Sequence, residues 1–356
     1  MKPTWRLPQG VPSDQANFLR KRRYLEFRWI FKYAKRKLIA FIALKQFGSV
    51  PEETQIKENH RNILWINFSA PSLGDSIMDL ASRVLLKNKK IILLTHTKNI
   101  SLYRRDEYFF DAYSEAQELK KYYPADFFDL VICDSFAPRV ILQKLKVAPR
   151  VSFLSLYGFV NGFEIHRTKY SFMRMKELLR SDDFQFPIRP SIVFSHRDAR
   201  AEGFDVCIAV GGEWEFRTYS HWLEVIEGIL TLDYSVTLVG SSNGATVASQ
   251  ICSRFPQVHS TVGLLSLKDV ASWIARAQYF IGADGGLWHI ACSIPIPTVV
   301  LFADCELFDD SGNRVTRESE DMECETLYHH TEVSWISPYD VLDAFERLRS
   351  RTKRLS

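Results

Sequence analysis

Two series of short apolar runs, each alternating with stretches of helical period, constrain this chain more than any other feature. In the first series, Asn62 to Phe68 (NILWINF), Ile91 to Thr95, Leu130 to Cys133 and Val151 to Leu154 have the pattern of strands covered on both faces. Helical stretches lie between them, including one from about Asp75 to Leu86. Strand–helix units in succession imply a parallel sheet with helices on both sides. Around Arg189 to Gly203 the sequence turns polar and charged, as a linker does, and a second series follows. Its strands are expected at Val206 to Val210, Ser235 to Val239, Tyr279 to Ile281 and Thr298 to Phe302. Its helices are expected near His221 to Leu230, Gly244 to Arg254, Leu267 to Arg276 and Leu287 to Cys292, with a closing helix from Pro338 to Arg351. At 356 residues, 46% of them hydrophobic, the chain can fill two cores. The expectation is an α/β protein of two doubly wound domains, 61–195 and 196–356, facing a cleft.

Residues 1–60 stand apart from both series. From Tyr24, apolar residues recur at Phe27, Phe31, Ala34, Leu38 and Phe41, three and four apart, which is the spacing of an amphipathic helix. Between Arg20 and Lys45 there are ten Lys/Arg and one acid, Glu26, although the whole chain carries only +4. Basic charge confined to one segment does not describe a nucleic-acid-binding domain. Two uses of this basic helical extension stay open: residues 20–45 lie on an anionic membrane surface, or the helix packs on the protein's own body with a solvated basic face. The longest early apolar run, Leu38 to Leu44, falls short of the ~18 residues that span a bilayer. The order of charge, apolar core and small-residue site that marks a signal peptide is lacking. Cys133, Cys207, Cys252, Cys292, Cys305 and Cys324 are scattered with no C-x-x-C pair, which fits a reducing compartment and offers no zinc motif. A cytoplasmic protein is expected.

Three loops carry chemistry, each after an expected strand, where open parallel sheets bind ligands. The first is Ser69-Ala-Pro-Ser-Leu-Gly-Asp75, in which Gly74 permits a tight turn and Asp75 meets the start of a helix. Asp75 is either a helix N-cap or a general base toward an acceptor hydroxyl, with Ser72 and Gly74 on the acceptor side. The second runs from Gly211 to Tyr219. Gly211 and Gly212 let backbone N–H groups approach an anion, and the planar fork of Arg217 suits phosphate oxygens. In the third, Ile281 to His289, a strand runs into Asp284-Gly285-Gly286 and a helix opens at once. That helix start offers N–H donors and a positive dipole end for a diphosphate, with His289 on its first turn.

These loops, in this order, resemble glycosyltransferase family 9, the heptosyltransferase family of lipopolysaccharide core assembly. Ser72-Leu73-Gly74-Asp75 matches its first motif, and Arg217-Thr218-Tyr219-Ser220 is similar to a variant of its middle one. The run Asp284-Gly285-Gly286-Leu287-Trp288-His289-Ile290-Ala291-Cys292, then Pro297 to Phe302, resembles its last motif. Phe128 to Ile132 and Val262 to Val270 also resemble family stretches, so the likeness covers about 61–350. The resemblance implies a GT-B fold of two Rossmann-like domains and an inverting transfer that needs no metal. It implies a nucleotide-sugar donor such as ADP-heptose, a glycan or glycolipid acceptor, and a place on the inner face of a bacterial inner membrane. In that pattern Asp75 is the catalytic base and Arg217 replaces a lysine opposite the departing diphosphate. Gly211, Gly212, Asp284, Gly285, Gly286 and His289 hold the donor.

Three positions depart from the family: Arg217 for lysine, Gly285 for a hydroxyl residue, and Gly244 where many members carry a ribose-binding glutamate. They leave open a non-catalytic nucleotide-sugar-binding relative or a scaffold in glycan assembly. An epimerase on a GT-B fold is a third reading. The pair His329-His330 has no ligand spacing around it for a metal. The aromatic stretch Tyr122 to Phe128 reads as packing, and Glu213 and Glu215 as solvated loop acids.

Overall fold

The computed structural model describes residues 31, 34–46, 48, 52–69, 72–104, 106–157, 167–181, 204–294, 296–303, 323–329 and 331–352. The chain divides into two compact units between Arg189 and Pro190. The expected linker, 189–203, lies outside the described residues.

In the first unit a helix α1 (34–46) precedes β1 (Asn62–Asn67), α2 (Leu73–Asp79), β2 (Lys90–Thr95), α3 (Thr97–Tyr103) and β3 (Asp111–Tyr113). Then come α4 (Ala116–Tyr122), β4 (Leu130–Ser135), α5 (Pro138–Val147), β5 (Phe153–Tyr157) and α6 (Arg167–Leu179). The five strands pair in parallel in the order β3-β2-β1-β4-β5, with Leu64 opposite both Ile92 and Val131. Ile63, Leu64, Trp65 and Ile66 have no exposed surface, because helices cover both faces of a parallel sheet. Leu64, Ile66, Ile92, Leu94, Val131 and Cys133 share one core with α5, while α6 packs on α2.

The helix expected from Asp75 to Leu86 starts earlier and splits. α2 ends at Asp79, and a tighter 3-10 turn covers Ala81–Leu86. Its Arg83 is 1% exposed and pairs with the equally buried Asp106, while Nη1 donates to Leu80 O at 3.0 Å. That grip on the preceding turn marks where the α-helix gives way.

The amphipathic stripe expected on the N-terminal helix is not its packed face. Ala40 and Leu44 enter the first core with Ala43 beside them, and Lys37 bonds Glu52 at 2.9 Å. Phe31, Leu38 and Phe41, three members of the stripe, are exposed. Small Ala40 and Ala43 let the helix approach closely, and shape fit outweighs the larger apolar area of the opposite face. Tyr24 and Phe27 lie outside the described residues.

The second unit comprises β6 (Phe204–Ala209), α7 (Trp222–Thr231), β7 (Val236–Val239), α8 (Ala245–Arg254), β8 (His259–Ser260) and α9 (Leu267–Arg276). It continues with β9 (Ala277–Ala283), α10 (Gly286–Ser293), β10 (Thr298–Ala303), β11 (Cys324–His329) and α11 (Pro338–Thr352). The strands are parallel in the order β11-β10-β9-β6-β7-β8. α11 returns to α7, burying Val341, Ala344, Phe345 and Leu348 in the second core. The fold is the expected one, two doubly wound α/β units each with its own core.

Candidate functional site

In each sheet the first strand is central, and successive connections leave it in opposite directions. The switch points fall between β1 and β4 and between β6 and β9. A doubly wound sheet opens a crevice at the carboxyl ends of such a strand pair. All three chemically loaded loops emerge there.

In the second unit, β6 runs out into Gly211 and Gly212, and the loop after β7 interlocks with them. Gly211 has φ +88°, and a Cβ on it would lie 2.8 Å from Gly244 Cα. A Cβ on Gly244 would lie 2.6 Å from Val210 O, and one on Gly240 2.5 Å from the same atom. Glycine is therefore required for two backbones to touch, and no larger side chain has room at 244. Asn243 bridges the loops, donating from Nδ2 to Gly212 O at 2.7 Å while its Oδ1 accepts from Ser241 Oγ at 2.6 Å.

The segment that follows is held against the end of the chain. Tyr219 is 1% exposed and its hydroxyl donates to Ile336 O at 3.1 Å, while Ser334 Oγ donates to Thr218 O at 2.9 Å. These bonds aim the preceding residue, Arg217, whose Nη1 lies 3.2 Å from Asp284 Oδ2. The Asp284 side chain is 3% exposed and that of Arg217 24%, so the pair is anchored at its acid and meets solvent at its base. The other carboxylate oxygen, Oδ1, is 4.0 Å from His289 Nε2. The backbone N–H of Asp284 donates to Leu301 O at 2.9 Å, which ties the acid to β10.

α10 opens directly behind this triad, with Gly285 at its N-cap and Gly286 as its first residue. The N-cap contributes no side-chain bond, and the first-turn amides of a helix have no partner within it, so they face the strand ends as donors. Gly285 is extended (φ 179°), and a Cβ there would come no nearer than 3.8 Å to Ala283 O. Here glycine is a choice of chemistry, not a steric need. Trp288, 4% exposed, meets Phe302 edge-on at 4.9 Å and His289 at 4.8 Å, which fixes the imidazole.

In the first unit Ser72 holds the N-cap position of α2, and Asp75 sits half-buried in its first turn. Asp75 is thus not the N-cap residue, and the plainer of its two sequence readings is replaced: Ser72 occupies that place, without a side-chain cap bond. Gly74 is buried beside it. Behind the turn lies a polar web. Ser76 Oγ donates to Asn67 Oδ1 at 2.7 Å and lies 3.1 Å from the Tyr103 hydroxyl. Burial pushes the Tyr103 phenol far up, with the Ser76 hydrogen bond and the charge of Arg83 acting the other way. Asp134, at the end of β4, accepts from Ser69 N at 2.6 Å and from Asn67 Nδ2 at 3.4 Å, so it fastens the loop that leads to Asp75. His96 follows β2 and lies against the Phe68 ring at 4.5 Å. Burial lowers its pKa, helped by the nearby positive charges of Arg139 and Lys98.

The second unit therefore brings Arg217, Asp284, Gly285, Gly286 and His289 together, with Gly211 and Gly212 shaping the adjoining loop. Ser72, Gly74 and Asp75 share one turn of the first unit. Asp134 and Asn243 escaped the sequence reading. Asp134 stands at the end of β4, a switch-point strand, and that position is the signal that would have found it; Asn243 lies in the loop after β7, and its bond to Gly212 O has no local signature. Among the described residues no group of three or more His, Cys, Asp or Glu stands close enough to hold a metal. Tyr123, Phe127 and Phe128 pack on one another, and Glu213 and Glu215 are exposed.

Residues 185–307 match the family model described as glycosyltransferase family 9 (heptosyltransferase), which takes in Arg217, Asp284 and His289. No curated protein matches the sequence. Among solved structures, a glycosyl transferase family 9 protein from Veillonella parvula aligns with TM-score 0.66 at 13% identity, over 84% of this chain and all 100% of the other. The E. coli ADP-heptose lps heptosyltransferase II aligns with TM-score 0.62 at 17% identity, over 82% and 99%. The E. coli heptosyltransferase WaaC, solved with ADP-2-deoxy-2-fluoro heptose, aligns with TM-score 0.60 at 13% identity, over 80% and 99%. At these identities the structures establish the fold, which is the GT-B fold of heptosyltransferase-like glycosyltransferases. The family resemblance itself rests on the matched segment.

Proposed function

We propose that this protein is an inverting glycosyltransferase that moves a heptose or related sugar from a nucleotide-sugar donor onto a lipopolysaccharide core or similar surface glycan. One observation carries the reading. Arg217, Asp284 and His289 assemble at the N-terminus of α10, at the switch point of the second sheet and inside the segment that matches the family. A nucleoside diphosphate leaving group develops negative charge as its bond to the sugar breaks. Fixed donors that already point at that place stabilise it without reorganising.

The roles follow from the chemistry. The amides of α10 and the guanidinium of Arg217 receive the diphosphate. Asp284 is a poor phosphate contact by itself, being an anion. Paired with Arg217 it instead holds the fork in position, and it faces His289, which reaches toward the donor from the first turn. The Asp75 carboxylate takes the proton of the acceptor hydroxyl as that oxygen attacks the anomeric carbon. The sugar–phosphate bond breaks on the opposite face, its electron pair leaves with the nucleoside diphosphate, and the anomeric configuration inverts. Arginine and a helix dipole supply the charge that a cation would otherwise bring, so transfer is expected to proceed without metal.

The sharpest test is Asp75→Ala, assayed against a panel of nucleotide sugars, with donor binding followed by calorimetry. Transfer should collapse while binding stays within about twofold, since a base contributes roughly 10²–10⁴-fold to rate and little to donor affinity. Wild-type turnover in that variant removes the base assignment. A chain that binds no nucleotide or nucleotide sugar removes the reading altogether. Activity surviving EDTA checks the metal-free mechanism, and conversion of a UDP-sugar with no acceptor present would favour the epimerase.

A further inference from the structure

The two faces of α1 point to different partners. The inner face belongs to the first unit: Ala40 is 2% and Leu44 8% exposed, and Lys37 bonds Glu52 and lies 4.4 Å over the Phe136 ring. Arg36 also turns inward, its pKa lowered by burial and by Arg139, with Asp134 acting the other way. On the outer face, Leu38 is 59%, Phe41 62%, Ile42 51% and Ile39 38% exposed. At 3.6 residues per turn, Leu38 and Ile42 stand opposite Ala40 and Leu44. Exposed Lys35 and Lys45 flank them.

We propose that this outer face is a docking surface for an anionic lipid membrane, on which α1 lies in the plane of the interface. A helix with a continuous apolar stripe and cations at its margins places the stripe among acyl chains and the cations among headgroup phosphates. Charge decides against the other occupants. Residues 34–46 hold four Lys/Arg and no acid, so a second copy facing the first would set cation against cation. Residues 1–30 hold seven Lys/Arg and two acids, so folding that segment back over the stripe would do the same. An anionic surface satisfies both segments at once. No described helix is long and apolar enough to cross a membrane, so α1 rests on the bilayer and does not span it. Because the inner face is fixed to the first unit, docking holds the half that carries Asp75 at the lipid, which suits an acceptor borne on a lipid if the transfer reading is right.

The test is flotation of the full chain with phosphatidylcholine vesicles, with and without phosphatidylglycerol. No donor or acceptor is present, so its outcome is independent of the chemistry. Binding is expected only with the anionic lipid and should weaken as salt rises. Leu38→Ser with Ile42→Ser should lower the partition coefficient about tenfold or more, and Lys35→Gln with Lys45→Gln about tenfold. Lys120→Gln with Lys121→Gln, exposed cations of α4, should leave it unchanged, and all variants should melt within a few degrees of the parent. The proposal is overturned if the chain floats with neither vesicle, if the outer-face variants float like the parent, or if the α4 variant loses as much. It is equally overturned if the outer-face variants dissociate an oligomer in lipid-free light scattering, because the face would then be an interface between copies.

Discussion

The two sheets present their strand ends in different states of preparation. In the second unit, the ends of β6 and β9 carry an ion pair with a nearly buried acid, backed by loops whose glycines touch backbone to backbone. In the first, the turn after β1 carries one half-buried carboxylate, Asp75, standing before a hydrogen-bonded web whose charged member, Asp134 at the end of β4, is fully buried. Under the proposed function, the difference matches two tasks. Receiving a diphosphate calls for fixed charge and fixed donors, because reorganising them during the reaction would cost rate. Accepting one proton calls for a single carboxylate that is accessible and correctly aimed, and the surrounding network need only aim it.

The largest expected effect tests whether the two ends share a function. Asp75→Asn keeps the size of the side chain and removes the base, so turnover should fall roughly 10²–10⁴-fold with the nucleotide Kd nearly unchanged. A matching loss of nucleotide affinity would place Asp75 in donor binding and erase the contrast.

Arg217→Ala should act on both binding and folding. Loss of the guanidinium removes the Arg217 ion pair from the buried Asp284 carboxylate, which costs about 1–3 kcal/mol. Adding Asp284→Asn should restore much of the melting temperature but not the nucleotide affinity, and a calorimetric cycle over the four proteins separates the two roles. Recovery of both together would mean that the pair serves stability alone.

Two glycines sharpen the comparison within the second unit. Gly211→Ala places a methyl 2.8 Å from Gly244 Cα at φ +88° and should destabilise by about 1–3 kcal/mol in denaturant titration. A Cβ at 285 meets nothing closer than 3.8 Å, so Gly285→Ser should gain a few tenths of a kcal/mol as a better N-cap. Equal effects at the two sites would contradict the interlocked-loop geometry.

The smallest effect is one of pH and falls on the first unit. Burial lowers the pKa of His60 and His96 there. As pH falls through the unfolded value of about 6.5, the unfolded chain takes up protons that the folded chain resists. Stability present at neutral pH is therefore lost on acidification, until the folded groups protonate in their turn. The melting temperature should decline between about pH 7 and 5.5, and His96→Gln should flatten part of that slope. An unchanged slope would show that the imidazole is solvated when the protein is folded.

The periodic part of this molecule was legible in advance. Thr298 to Phe302, Leu267 to Arg276 and Pro338 to Arg351 read directly as a strand and two helices, because each carries its own apolar period. Three short or edge strands were not: β3 (Asp111–Tyr113), β8 (His259–Ser260) and β11 (Cys324–His329) are each only partly buried. With a neighbour on one side only, edge strands need little apolar character and leave little trace. The Asp284-Gly285-Gly286 turn was equally plain, since a strand that breaks into glycines before a helix has few other meanings.

What the residues determined alone is therefore local: two rounds of strand and helix, a basic helical segment before them, and glycine-rich turns at the strand ends. What the tertiary structure decided is which distant groups meet. Arg217 reaches Asp284 from 67 residues away because Tyr219 and Thr218 are bonded to the segment before α11, a contact with no local signature. In the same way α1 buries Ala40 and Leu44 and turns Leu38 and Phe41 outward. Periodicity reports that a helix has an apolar stripe, but the face that packs is chosen by the shape of the surface it meets.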